Sequence, residues 1–528
     1  MTPDGGGAAP PQARGFWAAA QAEPERVAVI DPAGRAWTAG EIGAAANKLV
    51  HALRARGTRA GDPLALLLPN RAETFVVLMA LFQAGWNFVP LNTNLTAAEI
   101  TYILRDAGAK ALVADARFAD VAAEAAAEAG VLESGRIAVG GPIPGGFTLL
   151  DDVLEGQPDT VPEDRVAGQF MQYTSGTTGR PKAVERALPS FDPETWVQVF
   201  SGNLTRYDIE PGGDAVHLIT SPMYHMSPLS FGYFSAHFEH TVVLMEKWDA
   251  EEALRLIERH RVTDTAMVPT QLHRLMQLPE DVRGRYDVSS LRQVIHAAAP
   301  MPMDLKLRLF DWLGPVIYEF YGATEGGGTL ARPEEWLAHP GTVGRPWAGA
   351  DIKVLDDEGN EVGPGVVGTV YMKLMGGDFR YKGDAEKTNA NRHGDFFTVG
   401  DMGEVDEDGF LYLRDRKIDM IISGGVNIYP AEVEAALLSH PAVGDAAVFG
   451  IPNEEWGEEV KAVVEPAAGY TASDGLAGEL AAHCATLLAK YKCPRSIDFT
   501  EAMPRDPNGK LYKRRLRDPY WEGHSSGI

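Results

Sequence analysis

The stretch PLALLLPNRAETFVVLMALFQAGWNFVPLNTNLTAAEITYILRDAGAKALVAD, residues 63–115, decides the fold class. It opens on PLALLLP, a short apolar run ended by Pro69, which reads as a buried strand. Glu73 to Gly85 reads as a helix, and NFVPLN and KALVAD read as the next two strands. Strands of near-continuous Val and Leu character separated by helices indicate a parallel sheet covered on both faces. Upstream, Thr38 to Arg56 reads as a helix, with Ile42, Leu49 and Leu53 at helical spacing.

The rhythm returns after Gly212, where AVHLITSP is strand-like and EEALRLIERHR helical, and TDTAMVP, RQVIHAAAP and PVIYEFYG add strands. From Gly341 to Gly409 the texture changes to short strands (DIKVLDD, VGTVYMK, FFTVGDMGEVDEDG) between Gly, Asp and Asn turns. Past Arg416 it is mixed again: a helix AEVEAALLSH, strands AAVFGI and EVKAVVEP, and a helix near Leu476 to Leu488. The expected architecture is therefore α/β. A disordered tail (1–15) precedes a large N-terminal domain (16–417) of two helix-covered sheets plus a β-rich subdomain at about 341–415. A small, mobile α+β C-terminal domain (418–528) follows.

Composition narrows the function. In 528 residues, 48 Lys and Arg stand against 73 Asp and Glu, a net charge of −25. That field repels nucleic acid and anionic membrane. Two cysteines, Cys484 and Cys493, build no disulfide framework and no zinc site, which fits a reduced cytoplasm. The start lacks a signal-peptide pattern, and the longest apolar runs are broken by Gly, Asn and Pro short of a membrane span. No nucleic acid and no integral membrane are expected as partners, while a homodimer stays open.

Several motifs carry chemistry. YTSGTTGRPK, residues 173–182, strings hydroxyls and bare backbone (Thr174, Ser175, Gly176, Thr177, Thr178, Gly179) that can wrap a phosphate, with Lys182 adding positive charge. It lacks the G-K-[ST] of a Walker loop. YGATE, residues 321–325, follows a strand end, where ligands sit in open α/β sheets. There Tyr321 can stack on a base, Thr324 can bond a phosphate and Glu325 can hold Mg2+, although a strand followed by an N-cap threonine would read the same way. Asp401, in VGDMG, can accept two ribose hydroxyls or be an ordinary turn aspartate. Arg416 offers a fork to ribose or phosphate, Gly424 and Gly425 permit close backbone approach, and PRDPNGKLYKRRLR sets Lys510 among further cations.

Taken together and in this order, the motifs resemble those of the adenylate-forming (ANL) superfamily, and more closely its bacterial acyl-CoA synthetases, over about Phe16 to Arg517. The resemblance implies an AMP-forming enzyme using ATP, Mg2+ and coenzyme A to convert a carboxylic acid to its thioester through an acyl adenylate. It implies that residues 173–182 hold the β- and γ-phosphates. Tyr321, beside Gly322, would stack on adenine, and Thr324 and Glu325 would meet the α-phosphate and Mg2+. Asp401 and Arg416 would hold the ribose, and Lys510 would bridge carboxylate and α-phosphate. His225, in SPMYHMSP, would gate the acyl pocket, and Gly424 and Gly425 would line the pantetheine tunnel.

Three positions depart from the family pattern. Ala183 replaces a glycine after the phosphate loop, Ala297 and Ala298 replace two glycines on the adenine side, and Ile418 stands at the hinge. Each reads either as harmless drift or as a restriction on nucleotide handling, so an enzyme mainly performing thioesterification, or a non-catalytic nucleotide binder, is kept as an alternative. Trp196, Phe231, Tyr233 and Phe234 read either as the wall of the acyl pocket, with no cation beside them, or as core; the first suits a hydrophobic acid of fatty, alicyclic, terpenoid or aryl type with one carboxyl.

Overall fold

In the computed structural model, residues 13–174, 181–200, 202–323, 326–374, 379–382, 389, 391–416, 419–423, 426–453, 456–505 and 511–522 are described. The chain divides into two units. The first joins Met1–Ala266, Gly284–Val294 and Gly377–Thr388, and the second joins Met267–Arg283, Ile295–Gly376 and Asn389–Ile528.

Residues 63–115 build the centre of a six-stranded sheet in the first unit. Its order is Thr148–Leu149, Arg136–Val139, Ala111–Asp115, Pro63–Leu67, Asn87–Pro90, Gln169–Phe170, and every pairing is parallel. The three inner strands are buried almost throughout, which is why they read as continuous apolar runs. Helix Ala39–Ala55 starts where Thr38 accepts from the Glu41 backbone N–H while the Glu41 carboxylate accepts from Thr38 N–H, a complete capping box. A helix the sequence reading passed over, Ala97–Ala107, carries the same device at Thr96 and Glu99 and buries Ile100, Ile103 and Leu104 against Leu67, Val89 and Leu112. A second set of strands runs Asp264–Met267, Val216–Ile219, Thr241–Leu244, Val27–Ile30, Ala36–Thr38, parallel except for the terminal hairpin.

The second unit is mostly antiparallel. Ile317–Gly322 pairs with Gly328–Ala331, which pairs with Arg345–Pro346. The β-rich region forms a sheet from Ala350–Leu355, Gly368–Leu374, Phe396–Phe397, Asp401–Val405 and Leu411–Arg416, with Val343, Val354, Val370 and Leu411 at its core. Toward the C-terminus, Val443–Asn453 and Gly457–Pro466 make a long ladder with helices Pro430–Leu438 and Asp474–Leu487, sharing a core that includes Ile421, Leu437, Val460 and Leu480. The architecture is the expected one: helix-bearing parallel sheets, a β-rich part and an α+β part. Among the described residues, no helix is long and apolar enough to cross a membrane.

Candidate active site

In the first unit, the phosphate-loop motif is framed as a hairpin. Strands Gln172–Thr174 and Lys182–Glu185 pair antiparallel, with Thr174 opposite Lys182, so the motif's two ends face each other. Ser175, Gly176, Thr177, Thr178 and Gly179 lie outside the described residues. The missed helix Ala97–Ala107 holds both flanks: Tyr173 donates its hydroxyl to Asp106 at 2.6 Å, and Tyr102 donates to the Pro181 carbonyl at 3.2 Å. Burial and the neighbouring Asp106 carboxylate push the Tyr173 phenol far up, so it stays a donor. Ala183 is wholly buried in the core beneath the sheet, with Leu67 and Val89. Its methyl group is part of that packing.

His225 is the N-cap residue of helix Met226–His237, half-buried with its ring 4.6 Å from that of Tyr224. Gln172, on the hairpin, donates to the Tyr224 carbonyl at 3.2 Å and so links the phosphate motif to the segment bearing His225. Asn70 fixes the same segment: its amide donates to the carbonyls of Ser221 (3.0 Å) and Met245 (2.9 Å) and accepts from Met223 N–H (2.8 Å). Nothing near Asn70 in the sequence announces this role, because its partners lie more than 150 positions away.

The aromatics expected at the acyl pocket pack instead on one another. Trp196 and Phe234 stack at 5.6 Å, and Tyr233 lies 4.6 Å from Phe82, with Phe170 also in the cluster. Phe231 packs on Tyr207 and His217. A cation does stand near this cluster: Arg165 lies over Trp17 at 4.9 Å, but it is paired with Glu194 at 2.5 Å.

The second unit gathers the nucleoside candidates. Tyr321, at the end of strand Ile317–Gly322, donates its hydroxyl to Asp401 at 2.7 Å. Asp401 stands directly opposite Arg416 in the ladder of Asp401–Val405 with Leu411–Arg416. Three residues far apart in sequence are thereby brought together by an antiparallel register. Gly322 meets Gly328 across its own ladder, and a Cβ there would sit 3.0 Å from the Gly327 carbonyl and 3.2 Å from Trp347, so only glycine fits easily. Ala298 follows the strand Gln293–His296 in a left-handed conformation, φ +75°. The two glycine-replacing residues, Ala297 and Ala298, therefore differ in kind, since only Ala298 occupies backbone that favours glycine. Thr324, Glu325, Ile418, Gly424, Gly425 and Lys510 lie outside the described residues. Close to Lys510, Lys513 pairs with Glu434 at 2.8 Å, so part of the basic stretch is neutralised within the unit.

Residues 16–376 match the AMP-binding enzyme family, and 432–510 match the AMP-binding enzyme C-terminal domain. The chain is 33% identical to a long-chain-fatty-acid–CoA ligase of Mycobacterium tuberculosis over 92% of this chain and 93% of that one. It is 35% identical to a feruloyl-CoA synthase of Amycolatopsis sp over 92% and 94% of the two chains. The o-succinylbenzoate CoA synthetase of Bacillus subtilis, in complex with its acyl-adenylate intermediate, superposes with a TM-score of 0.78 at 30% identity, covering 96% of this chain and 98% of that one. The chain belongs to the AMP-binding enzymes of the adenylate-forming superfamily. Within them it is of the AMP-forming acyl-CoA synthetase type, with ATP and coenzyme A as co-substrates and Mg2+ as cofactor.

Proposed function

We propose that this enzyme activates a hydrophobic acid with a single carboxyl (fatty, alicyclic, terpenoid or aryl) as its acyl adenylate and transfers the acyl group to coenzyme A. The observation that carries the reading is the hydrogen bond from Tyr321 to Asp401 beside Arg416, which assembles base- and ribose-binding chemistry at a strand end. In the first step a carboxylate oxygen attacks the α-phosphorus of ATP, the bond to the β-phosphate bridging oxygen breaks, and pyrophosphate leaves. In the second, the thiol sulfur of coenzyme A attacks the acyl carbon, its proton is lost, and AMP leaves.

The residues supply binding and charge rather than a covalent nucleophile. The motif from Thr174 to Lys182 has the hydroxyl, backbone and ammonium donors suited to the phosphates, and Asp401 and Arg416 hold the ribose. Lys510 offsets the repulsion between carboxylate and α-phosphate. Mg2+ takes oxygen ligands, for which the Glu325 carboxylate is suited, and supplies further charge neutralisation of the phosphates. His225 borders the acyl group. The apolar character of the acid is supported by relatives named for fatty and feruloyl acids.

The test is acid-dependent exchange of pyrophosphate into ATP, run over a panel of fatty, alicyclic and aryl monocarboxylates beside dicarboxylates, with thioesters read by mass spectrometry. Turnover confined to monocarboxylates supports the reading, and preferential turnover of dicarboxylates overturns it.

A further inference from the structure

Three buried titratable side chains of the second unit, none of them given a role above, meet one another: Lys306, Glu319 and His296. Lys306 stands on helix Met303–Leu313, with Nζ 2.5 Å from Oε2 of Glu319 and 4.5 Å from the centre of the Trp336 ring. The same carboxylate oxygen lies 3.4 Å from Nε2 of His296, whose buried Nδ1 has no hydrogen-bond partner among the described residues. Burial pushes the Glu319 carboxyl up, but Lys306 and then His296 outweigh it and bring it down to about 2. Glu319 is therefore an anion in the interior.

Stability alone is a weak reason for such a group, since a buried ion pair can often be replaced by apolar residues of similar volume without loss. Its place in the chain offers a better one. Glu319 precedes Tyr321 by two residues on strand Ile317–Gly322, so both project from the same face. His296 ends its strand and precedes Ala298, with its left-handed backbone, by the same two residues. One carboxylate thus sits beneath both segments that present the nucleotide contacts. A strand that slipped by one residue would turn Tyr321 to the opposite face. Apolar packing is non-directional, whereas a charge-assisted hydrogen bond fixes register.

We propose that Lys306, Glu319 and His296 form a positioning set that fixes the register of Tyr321 and the turn at Ala298 for nucleotide binding. The proposal rests on the reading of Tyr321 and Ala298 as nucleotide contacts. It separates two effects that a merely structural cluster would keep together, melting temperature and nucleotide affinity.

The test uses the full chain and AMP as probe, with calorimetric affinity measured beside melting temperature for wild type, Glu319→Gln, the apolar pair K306M/E319M, and Tyr321→Ala. The apolar pair is expected to regain a melting temperature near wild type and still bind AMP at least about tenfold more weakly, about 1.4 kcal/mol. Glu319→Gln, which keeps the shape, is expected to lose at least as much affinity and gives the reading if the pair does not fold. In pyrophosphate exchange the KM for ATP rises while kcat at saturating ATP stays within about threefold. AMP affinity within twofold of wild type in both variants overturns the positioning set alone. Wild type that does not bind AMP, or Tyr321→Ala that binds it as well as wild type, overturns the nucleotide-site reading beneath it.

Discussion

The phenol of Tyr321 donates to the Asp401 carboxylate over 2.7 Å, and Asp401 faces Arg416 across an antiparallel ladder. The bond anchors the ring before any ligand arrives. A side chain already held in place loses less freedom on binding, and that loss is a main cost of association. The same bond orients the Asp401 carboxylate from the side of the Tyr321 ring.

Tyr321→Phe keeps the ring and removes the donor. Net contributions of single hydrogen bonds are about 0.5–1.5 kcal/mol, so AMP affinity is expected to fall about two- to twelvefold. Asp401→Asn should cost at least as much, and the double variant should cost less than the sum of the two, because the pair shares one interaction. Calorimetric titration of AMP into the four proteins checks this, and strict additivity would show that the bond does not serve nucleotide binding.

Asn70→Ala removes one side chain and strips partners from two carbonyls and one N–H in the interior. Each buried group left unsatisfied costs about 1–3 kcal/mol, so a loss of about 3–5 kcal/mol in urea unfolding is expected. Asn70→Asp is the sharper variant. It conserves size but cannot donate, so it loses the bonds to Ser221 and Met245 and places a carboxylate against two carbonyls. It is expected to be no more stable than Asn70→Ala.

Much of this was legible in the sequence for local reasons. Thr38 caps its helix through Glu41 three residues on, and the strands of residues 63–115 announce themselves because both faces are buried. YGATE was readable as a strand-end motif. What escaped is held by pairings across long stretches of chain: Tyr173 with Asp106, Asn70 with Met245, Tyr321 with Asp401. A signal existed for Lys306 and Glu319, each a charge within an otherwise apolar helix stripe or strand, LKLRLF and VIYEFY. Trp196 and Tyr233 illustrate a different limit: aromatic composition cannot separate the wall of a pocket from a cluster that fills itself.

His237 supplies a pH dependence. Its Nδ1 accepts from Phe16 N–H at 2.9 Å, and burial drives its pKa down to about 3. The unfolded imidazole titrates near 6.5, so below that pH the unfolded chain takes up a proton that the folded chain refuses. Its contribution to stability is thus fully present above about 6.5 and is lost progressively as pH falls toward about 3. His237→Asn keeps an acceptor for Phe16 and removes the titration. It is expected to be less stable than wild type at pH 8, with a gap that narrows as urea midpoints are followed down to pH 4. A gap that stays constant would remove His237 as the titrating group.

The backbone at Ala298 bears on how the two half-reactions are balanced. A non-glycine residue in the left-handed region costs about 1–2 kcal/mol, while glycine adds about 0.5–1 kcal/mol of entropy to the unfolded chain. Ala298→Gly, at φ +75°, should therefore raise stability by up to about 1 kcal/mol. Of the described residues that depart from the family pattern, Ala298 alone has left-handed backbone, so it is the place to test the idea that nucleotide handling is the weaker half. If its methyl group hinders the base, Ala298→Gly lowers the KM for ATP in pyrophosphate exchange by about threefold, a change of about 0.6 kcal/mol. Thioester formation from synthetic acyl adenylate and coenzyme A then speeds up by the smaller factor. The variant resolves the alternatives because glycine relieves strain and also loosens the turn. A rise in the KM for ATP despite a higher melting temperature would mean that the strained alanine holds the turn ready for the nucleotide, and the thioesterification-biased reading would fall.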